Sequence, residues 1–363
     1  MNIAIFSPNQ NPYSETFIQA HKNNLRGNIF FYYGQGKNIK LKEGEVLSNS
    51  LERLKLKFEN KVLNDPSHNF WSKPLLRSLK KHKIESVLIE YGNHAFHLLP
   101  VLKSLKIPIV VHFHGYDASI YEVIRNCNNY KDVFKIATTI IAVSKVMEGK
   151  LLELGCPKEK LVLNVYGPNP IFHKIEPNFK KAQFISVGRF VDKKAPYLTV
   201  LAFQKVLRNF PKAKLLMAGD GGLLNSCKNI VRYLNLQNNV EFLGVIDKND
   251  FKLLLSESLA FVQHSIIADN GDMEGTPVAI LEASAAGLPI LSTYHAGIPD
   301  VVIHKQTGLL CKEHDVEAMS NNMLQLLMNK ELVKAMGFKG KSHILENFNM
   351  QKHINTIQKQ LQG

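Results

Sequence analysis

The 363 residues contain no apolar run near the ~18–20 needed for a membrane-spanning helix. The longest near-candidate, around Ala137–Val143, is strand-sized and flanked by polar residues. No basic segment precedes the apolar start MNIAIFSPNQ, so it reads as a first strand and not as a secretory signal. Only four cysteines occur, Cys127, Cys156, Cys227 and Cys311, far apart in the chain. Without CxxC or any metal-ligand spacing they point to neither a disulfide framework nor a zinc site, and a reducing, cytoplasmic setting is expected. Signature loops are missing too: no GxxxxGKS or GxxxxGKT, no GxSxG and no HExxH. The glycine-rich pieces Tyr33–Gly36 and Ala218–Gly222 (AGDGG) fall short of GxGxxG and read as tight turns.

Acidic residues are in deficit. There are 45 Lys and Arg against 31 Asp and Glu, a formal charge of +14. The first 170 residues carry 23 basic and 14 acidic side chains, the remainder 22 and 17. The densest basic stretch is Lys73–Lys83, KPLLRSLKKHK. Its readings are a solvated helix face, an anionic membrane surface, a nucleic acid or a phosphorylated small molecule. No RNA-binding, zinc or helix-turn-helix signature accompanies the charge, so nucleic acid is not the expected partner.

What is present is globular composition, 45% hydrophobic and 21% charged, at a length that implies two domains. Short apolar runs alternate with amphipathic stretches. Strands are expected at Asn2–Phe6, Ile29–Tyr33, Ser86–Glu90, Ile107–Phe113, Thr138–Val143 and Leu161–Val165. Further ones are expected at Ala182–Val187, Ala213–Ala218, Val240–Leu243, Ala260–Gln263 and Pro289–Ser292. Helical patterns lie between, for example at Tyr197–Arg208 and Pro277–Ala286. The alternation predicts an α/β chain of two doubly wound parallel-sheet domains. The Pro/Gly cluster YGPNP at Tyr166–Pro170 divides them, into 1–168 and 169–345, with a tail helix over about 346–363. Ligands of such sheets bind beyond the carboxyl ends of the strands.

Three segments carry chemistry. In Asp269–Asp300, Thr276 suits a helix cap, Pro277 the first helical position and Gly287 the end. Glu282 is the only charge in an otherwise small and apolar helix, and Glu274 lies just before it. In Val187–Pro196 (VGRFVDKKAP), Gly188 lets the backbone approach a ligand, and Arg189 and Lys194 offer two cations to a diphosphate. In Val110–Asp117 (VVHFHGYD), His112 and His114 share one strand face, with His114 at the carboxyl edge, able to meet a substrate hydroxyl or phosphate. No third ligand at diagnostic spacing supports a metal. Taken singly, each segment also fits a structural role: a paired acid, a basic turn, a packed histidine.

Together and in this order the segments resemble the retaining glycosyltransferases of family four, which have the GT-B fold of two Rossmann-like domains facing across a cleft. EGTPVAILEASAAGLPI resembles the Glu-x(7)-Glu motif with its flanks, and VGRFVDKKAP the phosphate-binding segment. AGDGG and Phe242–Gly244 resemble nucleotide-side loops. AGIPD at Ala296–Asp300 resembles the GGxPE loop, with Ala and Asp in place of Gly and Glu. Pro12 and Ser14–Ile18 (PxSETFI), with HFHGYD, are similar to the bacterial exopolysaccharide, capsule and lipopolysaccharide subgroup.

The resemblance implies transfer of a hexose from a nucleotide-diphosphate sugar, most simply a UDP-sugar. The acceptor would be a glycan or a lipid-pyrophosphate-linked glycan. Configuration would be retained, with no metal and no other cofactor, in keeping with the lack of a DxD pair in a metal-binding context. Glu274 and His114 would meet the donor sugar, and Arg189 and Lys194 the diphosphate. Glu282 would meet the ribose, the Gly244–Val245 backbone the base, and amides around Gly297, Ile298 and Pro299 the sugar or phosphate. Gly188, Gly275, Thr276 and Pro277 complete the donor site. Ala195 stands where the family usually has Gly, and Asn9–Ser14 replaces its GG loop. The expected location is cytoplasmic, or peripheral on the inner face of the membrane. The alternatives are a GT-B nucleotide-sugar epimerase, which the EGxP lead disfavours, and a basic non-enzymatic nucleic-acid binder.

Overall fold

A computed structural model describes residues 1–10, 15–42, 47–48, 54 and 71–363. Pro12 and Ser14 of the PxSETFI motif, and most of the Asn9–Ser14 loop, lie outside them. The chain divides into two compact units, Met1–Asn164 with Ile354–Gly363, and Val165–His353. The tail helix spans Met350–Gln362 and does not start at 346. The preceding helix, Lys330–Asn347, occupies that stretch and ends at Phe348, whose φ of −129° is not helical.

The first unit holds β1 (Asn2–Ser7), β2 (Asn28–Tyr33), β3 (Lys40–Leu41), β4 (Ser86–Glu90), β5 (Ile109–His112), β6 (Thr139–Ala142) and β7 (Leu161–Leu163). They form one sheet in the order β3-β2-β1-β4-β5-β6-β7. All pairs are parallel except the β2–β3 edge. Every residue of β4, β5 and β6 is buried, as for strands covered on both faces, which read as unbroken apolar runs.

The second unit holds β8 (Gln183–Val187), β9 (Lys214–Ala218), β10 (Val240–Gly244), β11 (Ala260–Val262), β12 (Ile290–Thr293) and β13 (Gly308–Cys311). Their order is β10-β9-β8-β11-β12-β13, parallel throughout. Its core packs Phe184, Leu215 and Val262 of the sheet with Phe203, Met319 and Met323 of the helices. The eleven expected strands are all present, with bounds shifted by no more than two residues. The two that were not expected are edge strands, one of them two residues long.

Both sheets are doubly wound. The chain builds outward from β1 toward β2, then returns to the other side of β1 to lay down β4 and its successors. In the second unit the reversal lies between β8 and β11. Right-handed crossovers on the two sides of such a reversal leave a crevice at the carboxyl ends of the flanking strands. The loops after β1, β4, β8 and β11 are therefore where each unit has room for a ligand.

Glycine is needed at the second of these places for packing. Gly219, at φ +133°, follows β9, and a Cβ on it would sit 2.0 Å from the Gly188 carbonyl oxygen. The Gly188 N–H donates to Ala218 O, and the Phe190 N–H to Asp220 O, so AGDGG is laced to the loop after β8. A Gly219→Ala variant has both a clash and a left-handed backbone to relieve. It is expected to lose about 2–4 kcal/mol of stability in the second unit, read as a lowered midpoint in urea unfolding of the full chain.

Candidate functional site

The loop after β8 runs from Gly188 to Ala195. The space over Gly188 is filled by the Lys194 stem: a Cβ there would lie 2.9 Å from Lys194 Cδ and 3.0 Å from Cε. The glycine thus admits the lysine, a different reason from the expected close approach of a ligand. Lys194 Nζ forms an ion pair with Glu274 Oε1 at 2.8 Å and donates to Gln263 Oε1 at 3.2 Å. Gln263 in turn donates to Ser265 Oγ at 2.8 Å. Gln263 and Glu274 both come from the segment after β11, so this contact bridges the reversal point of the sheet.

The next residue back, Lys193, is more buried still, at 5% exposure. Its Nζ meets Asp272 Oδ1 at 2.9 Å and Met273 O at 3.1 Å, and its carbonyl accepts the Ile266 N–H. It ties the stretch leading to Glu274 back onto the β8 loop. From the other side, the Glu274 N–H donates to His295 Nε2 at 3.1 Å, and His295 Nδ1 meets Glu313 Oε1 at 2.6 Å. A ring nitrogen that accepts an N–H is bare, so Nδ1 carries the proton and donates it to Glu313. Glu313 Oε2 accepts the Ile267 N–H. Glu274 is therefore held at its side chain and at its backbone. Burial pushes its carboxyl up, but Lys194 and Lys193 pull harder and hold it at about 2.

Arg189 is exposed, and its guanidinium has no ion pair or hydrogen bond among the described residues. Lys194 has three N–H donors with two engaged, leaving one. The loop thus presents one uncommitted cation and one further donor, a disposition suited to an anionic group. Ala195 takes φ +32° and ψ +54° before Pro196 opens the next helix. Ala296 is likewise left-handed, at φ +44°. Both alanines thus hold a left-handed backbone that glycine adopts more readily.

The Glu282 helix spans Val278–Ala285, with Pro277 and not Thr276 at the cap position. A residue before proline is pushed toward extended backbone, and Pro277 itself has an extended ψ of 117°, so the helix starts one residue late. Thr276 is buried. Gly287, at φ +88°, ends the helix as expected, and the Leu288 N–H returns to Ala283 O. Glu282 is half-buried and its carboxyl has no hydrogen-bond partner among the described residues. Burial drives it up to about 8, with Lys248 the one opposing charge.

Other expected contacts are corrected by the geometry. The Gly297 N–H donates to Gly275 O at 3.0 Å and the Ile298 N–H to His295 O at 3.0 Å, while Pro299 has no N–H. The amides of Gly297–Pro299 are therefore engaged or missing, and hold no ligand as they stand. Their use is to fasten Gly275, next to Glu274, to the loop after β12. Gly244, at φ +68°, faces open space and Val245 is exposed, although the Gly244 carbonyl accepts the Gly219 N–H.

In the first unit, His114 does lie just past β5, but it is buried at 4% exposure. Its Nε2 meets Glu90 Oε2 at 3.0 Å. It also forms a capping box with Asp117: the His114 N–H donates to Asp117 Oδ1, and the Asp117 N–H to the His114 ring. Both ring nitrogens are then in use within the fold, and direct contact with a sugar would require one of these bonds to open. Glu90 itself is fully buried and gathers His21 Nδ1 at 2.6 Å and His112 Nδ1 at 3.5 Å as well. Burial pushes Glu90 up, but the histidines outweigh it and hold it well below the carboxylate range. Glu90, His112 and His114 place three ligand atoms within 4.8 Å of one another. The ring nitrogen of His114 that accepts the Asp117 N–H is bare, so its Nε2 carries the proton and donates to Glu90, which does not suit a metal ligand.

Sequence reasoning missed Lys193, Gln263, His295, Glu313 and Glu90. Lys193 sits beside Lys194 in DKK, and Gln263 directly follows a strand. The remainder become visible only when distant segments meet.

Residues 169–343 match the model of a family described as glycosyl transferases group 1. WcaL of Escherichia coli strain K12, a glycosyltransferase named for colanic acid biosynthesis, is 29% identical over 58% of this chain and 53% of its own length. The amylovoran biosynthesis glycosyltransferase AmsK of Erwinia amylovora is 28% identical over 76% of this chain and 69% of its own. The chain thus spans little more than half the length of the first of these relatives. Among solved structures, Anabaena HepE in complex with UDP-glucose superposes with a TM-score of 0.79 over 100% of this chain and 99% of that one, at 14% identity. Sucrose-phosphate synthase of Thermosynechococcus elongatus gives 0.76 over 99% and 97%, at 17% identity. These neighbours have the GT-B fold, and so does this chain.

The raised Glu282 carboxyl has a measurable consequence. At pH values below its unfolded 4.5, both states are protonated. Between 4.5 and about 8 the unfolded carboxyl ionises while the folded one does not, so stability falls as pH rises through that window and levels off above it. Glu282→Gln is expected to flatten this dependence and to raise Tm at pH 8.5 by about 3–6 °C, with little change at pH 4.5, in thermal unfolding across pH.

Proposed function

We propose, from the match of residues 169–343 to the group 1 glycosyl transferase model, that the protein is a retaining, metal-independent hexosyltransferase. Its donor is a nucleotide-diphosphate sugar, taken to be a UDP-sugar because HepE is described with UDP and UDP-glucose. Its acceptor is a glycan or lipid-pyrophosphate-linked glycan of a bacterial surface polysaccharide, in line with the names of WcaL and AmsK. The observation that carries this reading is the Lys194–Glu274 pair at the β8/β11 reversal, with the exposed Arg189 in the same loop as Lys194.

In the proposed reaction the diphosphate lies against Arg189 and the remaining Lys194 donor. As the bond from the anomeric carbon to the leaving phosphate oxygen breaks, charge grows on that oxygen. Lys194, held in place by Glu274 and Gln263, and the exposed Arg189 stabilise that charge, the work a metal ion does elsewhere. Glu274 stays ionised and accepts from hydroxyls of the donor sugar. Its anchoring through Lys193, His295 and Glu313 fixes its position to within hydrogen-bond tolerance. Glu282 receives the ribose hydroxyls. An exposed cationic helix face, Lys73, Arg77, Lys80 and Lys81 of Ser72–Lys81, is assigned to an anionic inner membrane surface, with Leu75 and Leu79 buried on the other side.

Two measurements check these assignments. Lys194→Ala and Glu274→Ala should each lower sugar transfer from UDP-glucose or the donor found by thermal-shift screening by about 10²–10³-fold, unaffected by EDTA in the wild type. Full activity in both folded variants sinks the site. Co-sedimentation with liposomes should rise with anionic lipid and fall with salt, and Lys80→Glu with Lys81→Glu should abolish it. Indifference to lipid charge removes the membrane assignment.

A further inference from the structure

The first unit has its own reversal point, between β1 and β4, and a carboxylate stands there that no donor-side role uses. Glu15 precedes the helix Thr16–Asn24, after β1. Its Oε1 accepts from Tyr91 Oη at 2.9 Å and from Asn9 Nδ2 at 3.3 Å. Its Oε2 is shielded from solvent and has no hydrogen-bond partner among the described residues. A buried carboxylate oxygen left without a donor is costly, and what it lacks is an O–H or N–H brought from outside.

Tyr91, which holds the other oxygen, directly follows β4 and takes φ +74° and ψ +131°, a conformation that costs a non-glycine residue on the order of 1–3 kcal/mol. The surroundings enforce it. The Tyr91 N–H donates to His112 O, its carbonyl accepts the Ala95 N–H, and the Gly92 N–H donates to Asp117 Oδ2 at 2.5 Å. The ring lies 4.4 Å from that of His114. Three strand ends thus cooperate to aim one phenol at one carboxylate. Burial pushes the Glu15 carboxyl up despite the Tyr91 bond, consistent with a group short of donors.

We propose that Glu15, positioned by Tyr91, is a sugar-hydroxyl subsite: Oε2 accepts a hydrogen bond from a hydroxyl of a substrate pyranose. A neutral polyol fits better than a phosphate, since the ligand must donate to an acid and not compete with it. The proposal rests on the transferase reading above, and the hydroxyl has two possible sources, the acceptor or the donor sugar.

The test uses the full chain and measures binding by saturation-transfer NMR and calorimetry. UDP and UDP-glucose are titrated into wild type, Glu15→Ala, Glu15→Gln and Tyr91→Phe. Methyl α-glycosides of glucose, galactose, mannose and fucose are then titrated in the presence of saturating UDP. UDP should bind all four proteins equally. If wild type fails to bind UDP, the transferase reading itself fails. With UDP bound, at least one glycoside should saturate the wild type and bind Glu15→Ala at least ten-fold more weakly, which assigns the hydroxyl to the acceptor. A ten-fold loss confined to UDP-glucose assigns it to the donor. Tyr91→Phe should weaken the same ligand a few-fold and Glu15→Gln by an intermediate factor, with Tm unchanged to within about 3 °C. Wild-type affinity for every sugar ligand in Glu15→Ala, or no saturable glycoside and no preference for UDP-glucose over UDP in the wild type, overturns the subsite.

Discussion

The ion pair between Lys194 and Glu274 is the contact on which the candidate site depends. It joins loops that follow the two strands on either side of a sheet reversal, and it does so where the solvent cannot screen it well. A largely buried pair of this kind contributes little net stability, because desolvation opposes attraction. Its value lies in position. The carboxylate is ionised without competing for solvent, and the ammonium keeps a donor for a ligand. Removing either partner leaves a buried charge alone, so the two side chains stand or fall together.

The surrounding structure serves that contact. Gly188 is small so that the lysine stem can lie over it, and Gly219 is small so that the next loop can close on Gly188. Lys193 and His295 then hold the Glu274 segment from opposite sides. Adjacent lysines in DKK thus have unlike tasks. Lys193 is buried against the chain's own acid and carbonyl, whereas Lys194 is the more exposed of the two and the one whose remaining donor a ligand can reach. A reading by residue type alone does not separate them, and neither does helical or strand periodicity.

This explains what was legible in the amino-acid sequence. Strands buried on both faces announce themselves as unbroken apolar runs, so β1, β4, β5 and β6 were plain, whereas Lys40–Leu41 and Gly308–Cys311 are edges too short or too plain in composition to stand out. Glu274 stood out in one segment and Lys194 with Arg189 in another, each in a loop that follows a strand. The helix start was off by one because proline at 277 caps instead of opening. The amides of Gly297 and Ile298 and the ring of His114 read as free for a ligand, whereas the structure engages all three in its own hydrogen bonds, for one shared reason. A polar group is available to a ligand only if the fold leaves it unused, and that is a property of segments far apart in sequence, such as Gly275 with Gly297 or Glu90 with His114.

The two acids of the Glu-x(7)-Glu motif show the same principle in their ionisation. Both carry identical chemistry, and burial raises both, though Glu282 keeps part of its surface in solvent. Glu274 has two lysines nearby and is held near 2, while Glu282 has only distant Lys248 and rises to about 8. Near neutral pH one is a fixed anion and the other is close to its own midpoint. A fixed anion suits a hydroxyl whose position must not change during reaction. A carboxyl near its midpoint is suited to a ligand that brings its own donors, since two hydroxyls replace the missing hydration of the charged form and draw the proton off as they bind. Environment thus sets the two acids apart in charge, one an anion held by two lysines and the other a carboxyl driven up by burial, and the difference is the lysine pair that follows β8.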